Sequence, residues 1–161
     1  MTTRRTMAFR LLSLGLLFPL AACKADSNIE KVFVKKEIVL NVVLFSYINR
    51  PIFDVYLNKK WIGDLSAYGG GGGIITGVTF PLGAQTLTWR LDGPLGMPRN
   101  GETVAARNPL TLNANQIPSD ANYLGVHIYP DETAELTFSK YLPNTTLRGE
   151  NILMAVEKSG K

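Results

Sequence analysis

The residues in this chain whose type or spacing bears on chemistry are five consecutive glycines, a lone histidine and a few neighbouring carboxylates. The glycines, Gly69–Gly73, sit in the stretch AYGGGGGIITG. A phosphate cradle needs Lys and then Ser or Thr directly after its last glycine, so that an ammonium and a hydroxyl reach the phosphates and their metal. Here Ile74 and Ile75 follow, and no Lys or Arg lies between Trp61 and Trp89. A dinucleotide fingerprint needs a strand before the glycines and a helix after them, whereas a strand is expected to follow. No nucleotide is therefore expected to bind. The lone His127 falls in an apolar strand pattern, on the face with Tyr123, Gly125 and Tyr129 and opposite Leu124, Val126 and Ile128. It reads as a histidine on the less buried face of that strand. A catalytic histidine needs a nucleophile and an orienting acid beside it, and no GxSxG elbow exists. One His without a second sulfur or nitrogen ligand is a poor basis for zinc. Asp131-Glu132 lies at an expected hairpin tip, where solvent keeps carboxylates ionised. Asp54 and Asp64 are near enough in sequence for folding to bring them together. No cofactor, no metal and no catalytic residue is expected.

The leader carries the next signal. The chain begins MTTRRTMAFRLLSLGLLFPLAAC. Three arginines precede an apolar run, Leu11–Leu20, that is shorter than the ~20 residues a membrane-spanning helix needs. The run ends Leu20-Ala21-Ala22-Cys23, which resembles the lipobox at which bacterial lipoprotein signal peptidase cuts. That likeness implies a signal peptide over 1–22, acylation of Cys23 and a lipidated tether over 23–36. Cys23 is the chain's only cysteine, so no internal disulfide forms. Two or more acyl chains anchor a protein stably, at about 0.8 kcal/mol per buried methylene. Lys24 rather than Asp follows the cysteine, which favours the outer membrane over the inner.

Processing also removes the apparent basicity. The whole chain has 17 Lys+Arg against 13 Asp+Glu. Cleavage before Cys23 takes away three arginines and no acid, leaving a balance near neutral. A nucleic-acid partner, which needs a dense basic surface, is not expected.

Residues 37–161 read as a single β-rich domain, an all-β antiparallel β-sandwich or open barrel. Ile38–Ile48 is apolar on both period-2 faces, as a central strand is. Ile52–Leu57 follows the breaker Asn49-Arg50-Pro51, and Asn58-Lys59-Lys60 predicts a tight turn into Trp61. Ile74–Phe80 is a strand. Gln85–Asp92 alternates, with Leu87, Trp89 and Leu91 on the inner face. Residues 93–109 read as a long surface loop, and Leu110–Leu112 as a short strand. Tyr123–Tyr129 and Ala134–Ser139 make the strongest hairpin signal. Ile152–Val156 fits either a strand or a helical turn. The glycine run reads as a loop between strands. It serves either as a tolerant wide turn or as bare backbone that meets another chain, since each ordered glycine costs about 0.5–1 kcal/mol relative to Ala in regular structure. Arg50, Trp61 and Tyr68, with Arg99 and Arg107, fall in or beside loops. These are the residue types enriched where binding energy concentrates.

The lipobox, Asn49-Arg50-Pro51-Ile52 with the strand after it, the run Gly69–Gly73 and the strand reaching Phe80-Pro81 together resemble a family of small proteobacterial lipoproteins. Some members accompany phospholipase effectors of the type VI secretion system as periplasmic immunity proteins. Where many members carry cysteines after the glycines, this chain has Ile75, Thr76 and Gly77, so any disulfide made there is absent. The resemblance implies a lipid-anchored binder on the periplasmic face of a bacterial membrane, whose partner is a cognate phospholipase-type effector. It needs no catalytic apparatus. The expected contact face is Arg50, Trp61, Asp64, Tyr68, Gly70, Gly71 and Gly72. The alternatives are an envelope structural or accessory lipoprotein with no toxin partner, and an enzyme or glycan-binding module.

Overall fold

Strand β1, Glu37–Ser46, organises the domain because both of its faces are apolar. The computed structural model describes residues 37–160; the expected signal peptide 1–22, Cys23 and the tether 23–36 lie outside the described residues. β1 is the inner strand it was expected to be. One neighbour is β4, Gly70–Pro81, and the other is β9, Tyr123–Ile128. β10, Ala134–Ser139, completes this first sheet in the order β10-β9-β1-β4. The pairing of β1 with β9 is parallel and the other two are antiparallel.

The second sheet runs β3-β2-β6-β7, with β2 at Ile52–Leu57, β3 at Lys60–Leu65, β6 at Leu87–Leu91 and β7 at Thr103–Ala105. A two-stranded piece, β5 (Gly83–Gln85) with β8 (Leu110–Leu112), lies beside them. The main core fills the space between the layers. Leu40, Val42 and Leu44 come from β1, Val55 and Leu57 from β2, Leu87 and Trp89 from β6, and Leu124, Val126 and Ile128 from β9. This is the all-β architecture, sandwich or open barrel, that short alternating strands predict, with one departure from a purely antiparallel arrangement in the parallel pairing of β1 with β9. The tight turn is also present: Asn58 and Lys59 both have positive φ, 48° and 64°, the backbone that a two-residue hairpin turn demands.

Two segments differ from the sequence expectation, and the tail settles an alternative that it left open. The tail is a helix, α1, Leu147–Lys158. Thr146 caps it by accepting from the Gly149 N–H at 3.1 Å, Glu150 sits in its first turn and Lys158 in its last. α1 packs on the outer face of the first sheet, where Val43, Phe45, Tyr47 and Tyr129 form a second small core with Ile152 and Leu153. The expected loop 93–109 contains β7, which pairs with β6. The glycine run is not a loop. Gly70–Gly73 are the first residues of β4, and Gly70 pairs with Phe45.

Candidate functional site

The glycines enter the sheet because the ladder between β1 and β4 is irregular. Asn41 faces both Thr76 and Gly77, and Leu44 faces Gly71–Gly73. Such bulges need left-handed backbone, which Gly77 and Gly71 supply with φ of 67° and 70°. The Asn41 side chain accepts from the Gly77 N–H at 3.1 Å and fills the gap in the ladder. At Gly70 the constraint is space. A Cβ there would lie 2.6 Å from the Phe45 ring. Gly73 has nothing within 4 Å of a would-be Cβ. The run therefore divides into architectural glycines at its start and an open position at its end, with Gly72 between them in the strand.

β3 and β4 are each one of the two edge strands of their sheets, the other edges being β7 and β10. Between them lies a groove of about 270 Å³, with Leu44 and Ile75 among its lining residues and Trp61, Asp64 and Ile74 beside them. Trp61 is 48% and Ile74 46% solvent-exposed, high values for such large apolar groups. Asp64 is the groove's charged group. Its Oδ1 accepts from the backbone N–H of Asp54 at 2.7 Å, while Asp54 holds Arg90 at 2.7 Å. The two aspartates do converge, but one supports the kinked backbone of β2 and the other an ion pair. They are not arranged as an acid and a base sharing a substrate.

Trp61 and Asp64 thus meet in one groove at the edge of the glycine strand. Arg50 does not belong with them. It was expected in a partner-facing loop, yet it is buried: Nε donates to the Asp92 carbonyl at 2.6 Å, Nη1 to the Pro98 carbonyl at 2.8 Å, and Nη2 to Asn100 Oδ1. Its fork holds the 92–100 loop against the turn after β1, and every strong hydrogen bond it makes is internal. Tyr68 is half-buried in the turn before β4, with a φ of 51° and its N–H on the Ile48 carbonyl at 2.9 Å. Gly70 and Gly71 are shaped by Phe45, as above. Ile74, Leu44 and Ile75 were read as strand residues only. The available signal for Ile74 was a large apolar residue directly after flexible glycines.

The other chemical groups are also accounted for. Arg99 bonds Glu102 and Glu132 at 2.7 and 2.8 Å, and Arg107 reaches Glu132 at 2.7 Å. These guanidiniums, Arg99 foremost, hold the Glu132 carboxyl below its ordinary range. The set ties the 99–107 segment to the β9–β10 hairpin.

His127 is fully buried, not on a solvated face, because α1 covers that side of the sheet. It stacks on Phe45 at 4.6 Å, and its Nδ1 and Nε2 lie 3.0 Å from the Tyr47 hydroxyl and Thr137 Oγ1. Burial pushes its pKa down to about 4, so the ring is neutral. Burial also raises the pKa of Tyr47, which keeps its proton. A ring proton on Nε2 then lets Tyr47 donate to Nδ1 and His127 donate to Thr137. A neutral, fully bonded imidazole with no open space before it is a core histidine.

A second concavity of about 630 Å³ lies along α1, bounded by Pro130, Leu147, Asn151 and Ile152. It is a shallow shelf. Its charged groups, Arg148 and Asp131, already pair at 2.8 Å, and Arg148 lies 3.8 Å above the Tyr129 ring. Among the described residues no group of three His, Cys, Asp or Glu is placed to hold a metal.

Compared with family models, curated proteins and solved structures, the chain matches none.

Proposed function

We propose that this chain is a lipid-anchored periplasmic binding protein that blocks a secreted antibacterial lipase, with the β3–β4 groove as its contact face. The observation that carries the reading is the exposure of Trp61 and Ile74 at a groove between two strands that lie at sheet edges among the described residues. Aromatic anchors beside a pocket are where protein interfaces concentrate their energy. The lipobox-like leader and the family resemblance supply the place and the class of partner. An acyl anchor on Cys23 keeps the inhibitor at the surface a lipase must work on, which raises its effective concentration there. No acid–base pair or nucleophile is needed for this task.

The test is growth rescue. A lipase-like effector, sought in the gene beside this one, is exported to the periplasm of a sensitive strain, with and without the full chain, and its absence from that place counts against the reading. The chain is expected to restore growth, and Trp61→Ala is expected to weaken binding about tenfold or more while melting near the parent temperature. Failure of the full chain to restore growth overturns the immunity reading and leaves the accessory-lipoprotein alternative. Equal loss of binding and stability in Trp61→Ala removes the groove from the contact face.

A further inference from the structure

The groove has features that describe what would fill it. Its volume, about 270 Å³, falls below the ~300–1,000 Å³ of small-molecule sites and suits one or two inserted side chains. One wall is the outer edge of β4, which among the described residues has no strand beside it. At Gly73 no side chain stands in the way of an approaching backbone. The bulges centred on Gly71–Gly73 and on Thr76-Gly77 interrupt this edge, so only a short segment can pair along it. Interrupted edges of this kind resist long edge-to-edge association of identical chains. The charge offered to an occupant is the Asp64 carboxylate, which is exposed and has no ion-pair partner among the described residues.

Resting on the reading that this is a protein-binding module, we infer that the groove takes a short extended segment of the partner. That segment pairs by its backbone with the edge of β4 around Gly73–Ile75. It seats an apolar side chain over Leu44 and Ile75, beside Trp61, and sets a Lys or Arg against Asp64. Main-chain bonds to a sheet edge give affinity and alternate side chains give specificity. A second copy of this chain is the competing occupant, disfavoured by the interrupted edge and read out below by its dependence on protein concentration.

Two synthetic heptapeptides test the inference on the full acylated chain in detergent, read by amide hydrogen exchange. Both alternate threonine with valine; one carries a single lysine on the valine face and the other a glutamate. The lysine peptide is expected to slow exchange at 73–76 at concentrations at least tenfold below those the glutamate peptide needs. Asp64→Asn is expected to erase that difference and keep the fold, since the amide oxygen still accepts from the Asp54 N–H. No protection at millimolar peptide, or equal response to both peptides, overturns the inference. So does protection of 73–76 that rises with protein concentration alone, because a second copy then covers the edge. Growth rescue without peptide protection sinks this inference and leaves the immunity reading intact. Peptide protection without rescue supports the groove and removes the lipase.

Discussion

At the scale of residues, the glycine run is a set of unequal positions. Gly70 lies where any Cβ would press on Phe45, whose ring is already stacked on His127. Gly70→Ala is therefore expected to lose about 1–3 kcal/mol, the usual cost of forcing an extra carbon into a packed site. Gly73→Ala meets open space and is expected to be neutral or slightly stabilising, because Ala has less unfolded-state freedom to lose. Denaturant midpoints of the two variants decide the matter; equal effects would mean the run behaves as a uniform loop.

His127 makes a second prediction at this scale. Its folded pKa, about 4, lies below its ordinary value of 6.5. Between those values the unfolded chain binds a proton that the folded chain refuses. The stability from neutral His127 is thus whole above pH 6.5 and is lost as pH falls toward 4, by about 3 kcal/mol in total. Melting temperature should decline across that window in the parent, and His127→Gln should flatten the decline. An unchanged slope across that window in the variant would remove His127 as its source; the lowered carboxyls of Glu102, Asp131 and Glu132 add their own loss of stability only at lower pH.

At the scale of elements, α1 is what turns a two-faced sheet into a closed one. β1 presents Leu40, Val42 and Leu44 to the main core and Val43 and Phe45 to the other side. Without a cover that second set would be wet. α1 approaches because Gly149 leaves room for Tyr47: a Cβ there would lie 2.1 Å from the ring. Tyr129, its pKa raised to about 12 by burial, keeps its proton and donates to Glu135 Oε2 at 2.8 Å, while its oxygen lies 2.7 Å from the capping Thr146. Helix propensity alone favours Gly149→Ala by about 1 kcal/mol, yet packing forbids it. The variant is expected to be destabilised by about 2 kcal/mol or more, with faster amide exchange across 147–158. A stabilised variant would show that α1 only rests on the sheet.

At the scale of the whole domain, edge strands β3 and β4 flank one groove, while arginines bind the loops elsewhere. Arg50, Arg99 and Arg107 spend their donors on the 92–107 segment and the β9–β10 hairpin. Exposed apolar side chains also occur elsewhere, Leu147 on α1 and Tyr141 among them. At the β3–β4 groove, however, Trp61 and Ile74 flank a concavity that also holds Asp64, a carboxylate with no ion-pair partner among the described residues.

The strand pattern was legible in the sequence because alternation is local. Leu87, Trp89 and Leu91 point inward, and the Tyr123–Ser139 hairpin forms, with no reference to the rest of the chain. The two-sided apolarity of Ile38–Ile48 likewise announced an inner strand. The burial of Arg50 was not legible for the opposite reason. An arginine after a strand looks the same whether solvent or three loop oxygens receive it, and distant residues make that choice for Arg50. The burial of His127 depends on a helix that begins twenty residues later, whose periodicity was too weak to read. The glycines read as a loop because their strand partner, Phe45, lies far away in the chain. Sequence alone determined which residues alternate and which short motifs, a phosphate-cradle loop and a GxSxG elbow, it lacks; tertiary structure decided which side chains are covered and which strands lie at the sheet edges, because burial and pairing are set by non-local neighbours.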